Sequence, residues 1–232
     1  MIRVKLLEEK FYGDRTSVGA QFRQMVHSYL SPEHRVLNAG CGSVGWLRLR
    51  GKCQEVVGVD MDNGVLLNPD VDVPVVGNIE GPLQLGSFDL IVCAYVVEHL
   101  CDPIACFRNL SMALRKGGIL LILTPNLAHY AILVSKLTPQ AFHKWFLKRM
   151  GRQPENIFAT YYRANTRARL ANMLVPSGFR PRELRMVEDK PDYLAFSAPS
   201  FFLGICYERI VSLLPALGCL RSTIMAAFER VE

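Results

Sequence analysis

The chain has 232 residues, of which 50% are hydrophobic and 21% are charged, a composition that excludes a disordered protein and suits one large globular domain. Its net charge of +6 favours an anionic partner such as phosphate, a membrane surface or nucleic acid, without choosing among them. Seven cysteines, an odd number with no C-x-x-C spacing, indicate reduced thiols and a cytoplasmic protein.

Apolar periodicity predicts alternating helices and strands. The start of the chain lacks the apolar core of a signal peptide, and no apolar run reaches the length of a membrane-spanning helix. The predicted helices are 17–30, one that begins in 45–49, 102–114 and 166–175. The predicted strands are 35–38, 55–60, 73–76, 88–93, 119–124, 181–187 and 223–229. Short and almost wholly apolar strands are typical of a parallel sheet covered on both faces, so the pattern predicts an α/β doubly wound fold.

A glycine-rich loop follows the first predicted strand. The stretch VLNAGCGSVG, residues 36–45, contains a G-x-G-x-x-G pattern, which lets backbone amides approach a ligand closely. Asp60 ends the second strand 18 positions after Gly42 and is suited to accept hydrogen bonds from a ribose. These features fit NAD or another adenosine ligand. Residues 38–46 include no Lys or Arg, which weighs against a pyrophosphate without excluding it.

Five motifs together narrow the choice. VLNAGCGSVG, GVDMD, GNIEGPL, FDLIVCAYVVEHL and LRKGGILLILTPN occur in this order over residues 33–126, and the series resembles the class I S-adenosylmethionine-dependent methyltransferases. The resemblance implies a Rossmann-like, mostly parallel seven-stranded sheet with an antiparallel last strand. It implies S-adenosyl-L-methionine as cofactor and S-adenosylhomocysteine as product. It also implies one domain over 1–232, with an N-terminal helical segment (1–32), a cofactor-binding core (33–126) and substrate-lid insertions (127–162 and 193–219).

The same resemblance assigns the cofactor contacts. It places Gly40, Cys41 and Gly42 beneath the methionine part, Asp60 at the ribose, Met61 on adenine, Asn78 and Ile79 at the adenine edge, and Cys93 and Ala94 beside the amino-acid moiety. Asn38 stands where the family usually has an acid, Asn78 where it commonly has Asp, and Gly45 one position later than the usual third glycine.

Three histidines are candidate general bases, because histidine exchanges protons near neutral pH. His99 follows Glu98 directly after the fourth strand, His129 follows the fifth strand, and His143 lies in the first insertion. Each has a purely structural alternative, as a backbone-bonded, lid or surface residue. Related quinone O-methyltransferases carry an acid where this chain has Tyr95, so no metal site is predicted.

Substrate contacts are predicted from TYYRANT, residues 160–166, which precedes a helix capped by Thr166. Tyr162 and Arg163 of this stretch, together with Tyr95, are the candidate substrate residues; the alternative is a helix cap with packed aromatic rings. Tyr12 and Arg15 are predicted either to close over the cofactor, as in relatives, or to belong to an ordinary leader helix.

The sequence thus predicts a methyltransferase for a small, apolar or lipid-linked acceptor, acting on oxygen. The insertions are rich in apolar, aromatic and basic residues, which also fits contact with a membrane surface or a homodimer. One alternative is a non-catalytic binding or scaffold protein on the same fold, which only Asn38 supports. Another is a nucleic-acid methyltransferase, disfavoured because the basic residues lie beside apolar lids and no N/D-P-P-Y motif occurs.

Overall fold

The computed structural model of the chain describes residues 2–82, 84–137 and 159–231. The described helices are α1 Ile2–Tyr12, α2 Val18–Tyr29, α3 Pro103–Ala113, α4 Tyr130–Leu137, α5 Arg167–Leu174 and α6 Ala198–Leu213. The strands are β1 Arg35–Ala39, β2 Glu55–Asp60, β3 Val73–Val76, β4 Phe88–Ala94, β5 Leu114–Pro125, β6 Phe179–Val187 and β7 Thr223–Arg230. None of the helices in these ranges is long and apolar enough to cross a bilayer.

The strands form one seven-stranded sheet in the order β3-β2-β1-β4-β5-β7-β6. The pairs from β3 to β5 are parallel, and the β5/β7/β6 end is antiparallel, which confirms the predicted fold class. Ala39 of β1 is paired with Val59 on one side and Cys93 on the other. The carboxyl ends of β1, β2 and β4 therefore meet at one edge, where open α/β sheets bind ligands.

The predicted helix at residues 45–49 is absent, and this prediction was wrong. The N–H groups of Leu49 and Arg50, which a helix would bond internally, instead donate to the Asp70 carboxylate at 2.6 and 2.9 Å. The carbonyl of Leu47 is likewise taken, by the His27 ring Nε2 at 2.8 Å. Long-range partners therefore replace the hydrogen bonds that a helix would have made.

Helix ends follow the sequence more closely. The Asp102 carboxylate accepts the Ala105 N–H at 3.1 Å and begins α3. The Thr166 hydroxyl accepts the Arg169 N–H at 3.2 Å and begins α5, as predicted. These short polar side chains satisfy amides that the first turn of a helix leaves unpaired.

The chain divides into two compact units. The sheet unit consists of Gly19–Pro125, Thr160–Arg185 and Ile224–Glu232, and the helical unit of Met1–Val18, Asn126–Ala159 and Met186–Thr223. The predicted boundaries of the leader, core and lid insertions stay predictions. Part of the first insertion lies outside the described residues.

The helical unit is built around contacts between α1 and α6. Val4, Tyr12, Phe201 and Ile205 form its buried apolar cluster. Beside it, Glu208 is only 2% exposed, yet it is a carboxylate within an apolar helix. It accepts hydrogen bonds from Arg15 at 2.8 Å, from Ser212 at 3.1 Å and from the Tyr12 hydroxyl at 3.4 Å. These donors compensate the loss of water around the buried carboxylate.

Replacing Glu208 with glutamine is expected to lower the free energy of unfolding by about 2 kcal/mol, because the buried carboxylate loses the charge that pairs with the partly exposed Arg15. Glu55→Gln removes the half-exposed pair with Arg35 and should cost less than about 1 kcal/mol. Urea unfolding of both variants measures the difference. Equal losses would contradict the role given to Glu208.

Candidate active site

The glycine loop and the end of β2 form the first part of the site. Asp60 Oδ2 accepts the Gly42 N–H at 2.7 Å, and its Oδ1 accepts the Asp62 N–H at 2.9 Å. The carboxylate is thereby fixed at the carboxyl edge of the sheet, with lone pairs left for a ribose. Because the Gly42 N–H already points at a carboxylate, this amide does not form the anion cradle that a pyrophosphate requires.

Two glycines of the loop have left-handed backbone conformations, with φ of +69° at Gly40 and +54° at Gly42. A Cβ on Gly40 would lie 2.2 Å from Val96 Cγ2, whereas one on Gly42 would meet nothing within 4 Å. Gly40 thus allows the loop to pass against the segment after β4. Gly45 packs against the Pro69–Asp70 turn rather than against a helix.

Asn68 holds the outer side of the loop, and the sequence reading missed it. Its Nδ2 donates to the Cys41 carbonyl at 3.1 Å and to the Gly42 carbonyl at 3.0 Å, while Oδ1 accepts the Asp70 N–H. With these carbonyls bound behind the loop, its backbone is fixed in one orientation. The only sequence signal was the polar N-P-D run after an apolar segment.

The remaining predicted cofactor residues lie around the same edge. Asn38 is buried as the next-to-last residue of β1, 5% exposed, and Met61 is 70% exposed beyond Asp60. Asn78 is exposed and its Oδ1 accepts the Glu80 N–H at 2.9 Å, while Ile79 is buried.

Asn109 is a second residue that was not predicted from the sequence. Its side-chain amide donates to the carbonyls of Glu80 and Gly81, both at 2.8 Å, and so fixes the turn that carries Asn78 and Ile79.

The end of β4 supplies a buried thiol and a strained residue. Burial raises the pKa of the Cys93 thiol to about 12, so Cys93 is neutral at physiological pH. Ala94 ends the strand, and Tyr95 follows with φ of +60° and 44% exposure. A tyrosine with positive φ is strained, and such residues cluster at functional sites.

Glu98 and His99 lie in a 3₁₀ turn, Val97–His99, directly after this residue. Glu98 is 4% exposed, and burial raises the pKa of its carboxyl group, while a hydrogen bond from Thr124 at 2.9 Å acts in the opposite direction. His99 is half-buried. Of the two candidate bases that the structure describes, His99 is the one in the sheet unit, where it follows the carboxyl end of β4.

Residues 160–165, which we call the strap, lie across this turn. The N–H groups of Tyr161 and Tyr162 donate to the Glu98 carbonyl at 2.8 and 3.1 Å, and Arg163 Nη1 donates to the Cys101 carbonyl at 2.6 Å. Two predicted substrate residues, Tyr162 and Arg163, are therefore held against the segment of the chain that carries His99.

His129, the second candidate base, has a different environment. His129 belongs to the helical unit, is 4% exposed, and packs against the rings of Tyr130 and Tyr207, with centroids 4.2 and 5.6 Å away. Its Nε2 lies 3.5 Å from Glu188 Oε1, an ion pair when the imidazole is protonated but too long for a hydrogen bond. His143 lies outside the described residues. Tyr12 and Arg15 are hydrogen-bonded to Glu208, and whether they close over the cofactor or belong to an ordinary leader helix stays a prediction.

A family model described as a methyltransferase domain matches residues 14–183. The chain belongs to this family. The predicted membership of the class I S-adenosylmethionine-dependent superfamily is thereby confirmed. Within the described ranges, no group of three His, Cys, Asp or Glu residues is arranged to hold a metal ion.

Relatives of this methyltransferase-domain chain are moderately similar. A "probable S-adenosylmethionine-dependent methyltransferase" of Mycobacterium tuberculosis is 33% identical over 112 residues, covering 44% of this chain and 41% of the relative. A ubiquinone biosynthesis O-methyltransferase of Xanthomonas campestris is 31% identical over 134 residues, covering 49% and 56%. The chain thus spans about half the length of the curated relatives it matches.

A solved structure shares the fold over nearly all of the chain. The N-methyltransferase NodS of Bradyrhizobium japonicum, in complex with S-adenosyl-L-homocysteine, has a TM-score of 0.53 at 16% identity and covers 99% of both chains. At this identity the likeness shows the methyltransferase fold, and the acceptor has to be argued from the site.

Proposed function

We propose that the protein transfers the methyl group of S-adenosyl-L-methionine to an oxygen atom of a small, apolar or lipid-linked acceptor. An oxygen lone pair attacks the methyl carbon, the carbon–sulfur bond breaks, and the sulfonium becomes the thioether of S-adenosylhomocysteine. The acceptor proton passes to a base. In this chemistry the enzyme mainly aligns the two reactants and removes that proton.

The observation that carries the proposal is the Asp60 carboxylate, held by the Gly42 and Asp62 amides at the sheet edge. In this arrangement Asp60 binds the ribose hydroxyls. Gly40, Cys41 and Gly42 make room for the methionine part. A site with acidic groups and no cation in its loop favours a sulfonium over a pyrophosphate.

The remaining cofactor assignments are also proposals. Met61 packs on adenine, Asn78 and Ile79 meet its edge, and Asn38, Cys93 and Ala94 line the amino-acid end. Asn38 supplies an amide where the family usually has a carboxylate, so this end depends on hydrogen bonds rather than on charge.

His99 is the proposed base, because it lies at the sheet edge beside the strap that carries Tyr162 and Arg163. The proposal of oxygen as the methylated atom is supported by the similarity to an O-methyltransferase. His129 is proposed as the second choice, because its buried position beside Glu188 limits its access to an acceptor.

An apolar acceptor is supported by the helical unit. Helix α6 exposes Phe202, Leu203, Ile210 and Leu213. An uncovered apolar helix face of this kind needs an apolar partner. Contact with a membrane surface and homodimer formation are further proposals that rest on the same face.

The test is a turnover assay with S-adenosyl-L-methionine and a panel of phenols, hydroxy acids and fatty acids that carry alkyl chains. We expect S-adenosylhomocysteine release with at least one member, and a loss of at least about a hundredfold in His99→Gln, the size of a general-base contribution. His27→Gln, on α2, is the matched control and should keep its activity. Tight S-adenosylhomocysteine binding without turnover on any acceptor would favour the scaffold alternative.

A further inference from the structure

A chain of buried side-chain hydrogen bonds joins three segments of the sheet unit. Asn165 Nδ2 donates to Thr124 Oγ1 at 2.6 Å, and Thr124 Oγ1 donates to Glu98 Oε2 at 2.9 Å. Asn165 and Thr124 are fully buried, and Glu98 is 4% exposed. The chain links the strap, the end of β5 and the 3₁₀ turn after β4.

The direction of this chain is fixed by its chemistry. The Asn165 amide also donates to the Pro125 carbonyl at 3.1 Å, so the opposite assignment would turn an amide oxygen toward a carbonyl oxygen. The Thr124 hydroxyl accepts from Asn165 and has one hydrogen to give, which goes to Glu98. Glu98 is thus the acceptor that ends the chain.

The backbone of Glu98 makes a second contact with the strap. Its carbonyl accepts the N–H groups of both Tyr161 and Tyr162. Tyr162 has φ of +52°, a left-handed conformation that is strained in a tyrosine. A single residue therefore fixes the strap through its backbone and, by way of Thr124 and Asn165, through its side chain.

A gain in folding stability does not explain why a carboxylate is buried at this position. Burying a carboxylate is costly, and apolar side chains of similar size would pack at least as well. Such a polar network instead restricts the three segments to one relative arrangement. His99 is the next residue after Glu98 in the same turn, and its N–H donates to the Val96 carbonyl at 2.8 Å. A shift of Glu98 therefore displaces His99.

We propose that Glu98, Thr124 and Asn165 are positioning residues, which hold the strap and His99 in register with each other. The proposal rests on the proposed function, since it assumes that the strap and His99 face the acceptor. It assigns no contact with substrate to the three residues.

Thr124→Val tests the network in the full-length protein, because valine keeps the shape and removes the hydroxyl. Hydrogen exchange of the Tyr161 and Tyr162 amides should become at least about tenfold faster, while amides of β2 should not change. Thr124→Ser restores the hydroxyl and should exchange like the wild type. If Thr124→Val does not fold, Asn165→Leu takes its place, because it leaves the Thr124–Glu98 bond intact.

The second readout is the NMR signal of the His99 ring, assigned with His99→Gln. We expect it to shift or broaden in Thr124→Val and to return in Thr124→Ser, while the His27 signal stays constant. If the network contributes only to global stability, Thr124→Val should speed hydrogen exchange of amides throughout the protein and leave the His99 signal of the folded protein unchanged. This result would overturn the proposal. S-adenosylhomocysteine calorimetry on the wild type separates the two hypotheses: absent binding contradicts the proposed function, whereas normal binding with an unresponsive strap contradicts only the positioning role.

Discussion

Gly40→Ala is expected to lower the affinity for S-adenosylhomocysteine at least about a hundredfold, equivalent to about 2.7 kcal/mol. Two effects combine at this position. The backbone has φ of +69°, which costs a side-chain-bearing residue about 1–2 kcal/mol. The new Cβ would also lie 2.2 Å from Val96 Cγ2, a stiff branched side chain that cannot move aside cheaply. The loop must shift away from β4, and the Gly42 amide shifts with it.

Gly51→Ala is the matched control, since Gly51 has φ of +75° and open space around its Cβ position. It carries the backbone strain without the clash, so its cost should stay within about 1–2 kcal/mol of unfolding free energy and its ligand affinity should not change. Isothermal calorimetry and urea unfolding measure both quantities. Val96→Ala, added to Gly40→Ala, should restore part of the affinity; no restoration would show that the clash is not the cause.

The strands along the chain were predictable because apolar runs are a local sequence signal, and the family resemblance supplied the fold and the cofactor edge. Apolar runs such as EVVGVD are buried on both faces, and β2 was predicted with its observed bounds. A parallel sheet then places the ends of β1, β2 and β4 together, so Gly42 and Asp60, both predicted as cofactor residues, lie at the same edge.

The side chains that hold the site in place were not predictable, because their hydrogen-bond partners are distant in sequence. Asn165 and Thr124 are separated by 41 residues, and Asn68 and Cys41 by 27. An isolated Asn or Thr looks the same in a loop, a cap or a buried network. The missing helix after the glycine loop has the same origin, because Asp70 takes its amides from 20 residues away. Local propensity is overridden where distant side chains supply the hydrogen bonds.

Asp60→Asn is expected to weaken S-adenosylhomocysteine binding by about ten- to a hundredfold, the loss of one or two charge-assisted hydrogen bonds. Asparagine keeps the shape of the side chain but has one oxygen instead of two. Since Gly42 and Asp62 each donate to a different oxygen of Asp60, one of these amides would face an NH₂ group. The substitution therefore has two effects: it removes the negative charge that the carboxylate presents to the ribose, and it weakens the hydrogen bond that holds the glycine loop.

Asp62→Asn separates these effects from a general change in charge. Asp62 is exposed, lies two residues further along, and uses its Oδ1 to accept the Gly64 N–H in a local cap. Asp62→Asn removes the same formal charge as Asp60→Asn. If long-range electrostatics caused the effect, both variants would bind equally weakly. If Asp60 contacts the ribose directly, the affinity of Asp62→Asn should change by less than about threefold. Calorimetry at 50 and 500 mM salt makes the comparison. If Asp60→Asn binds as tightly as Asp62→Asn, the carboxylate at the end of β2 does not hold the ribose. The site would then have to be sought elsewhere on the sheet edge.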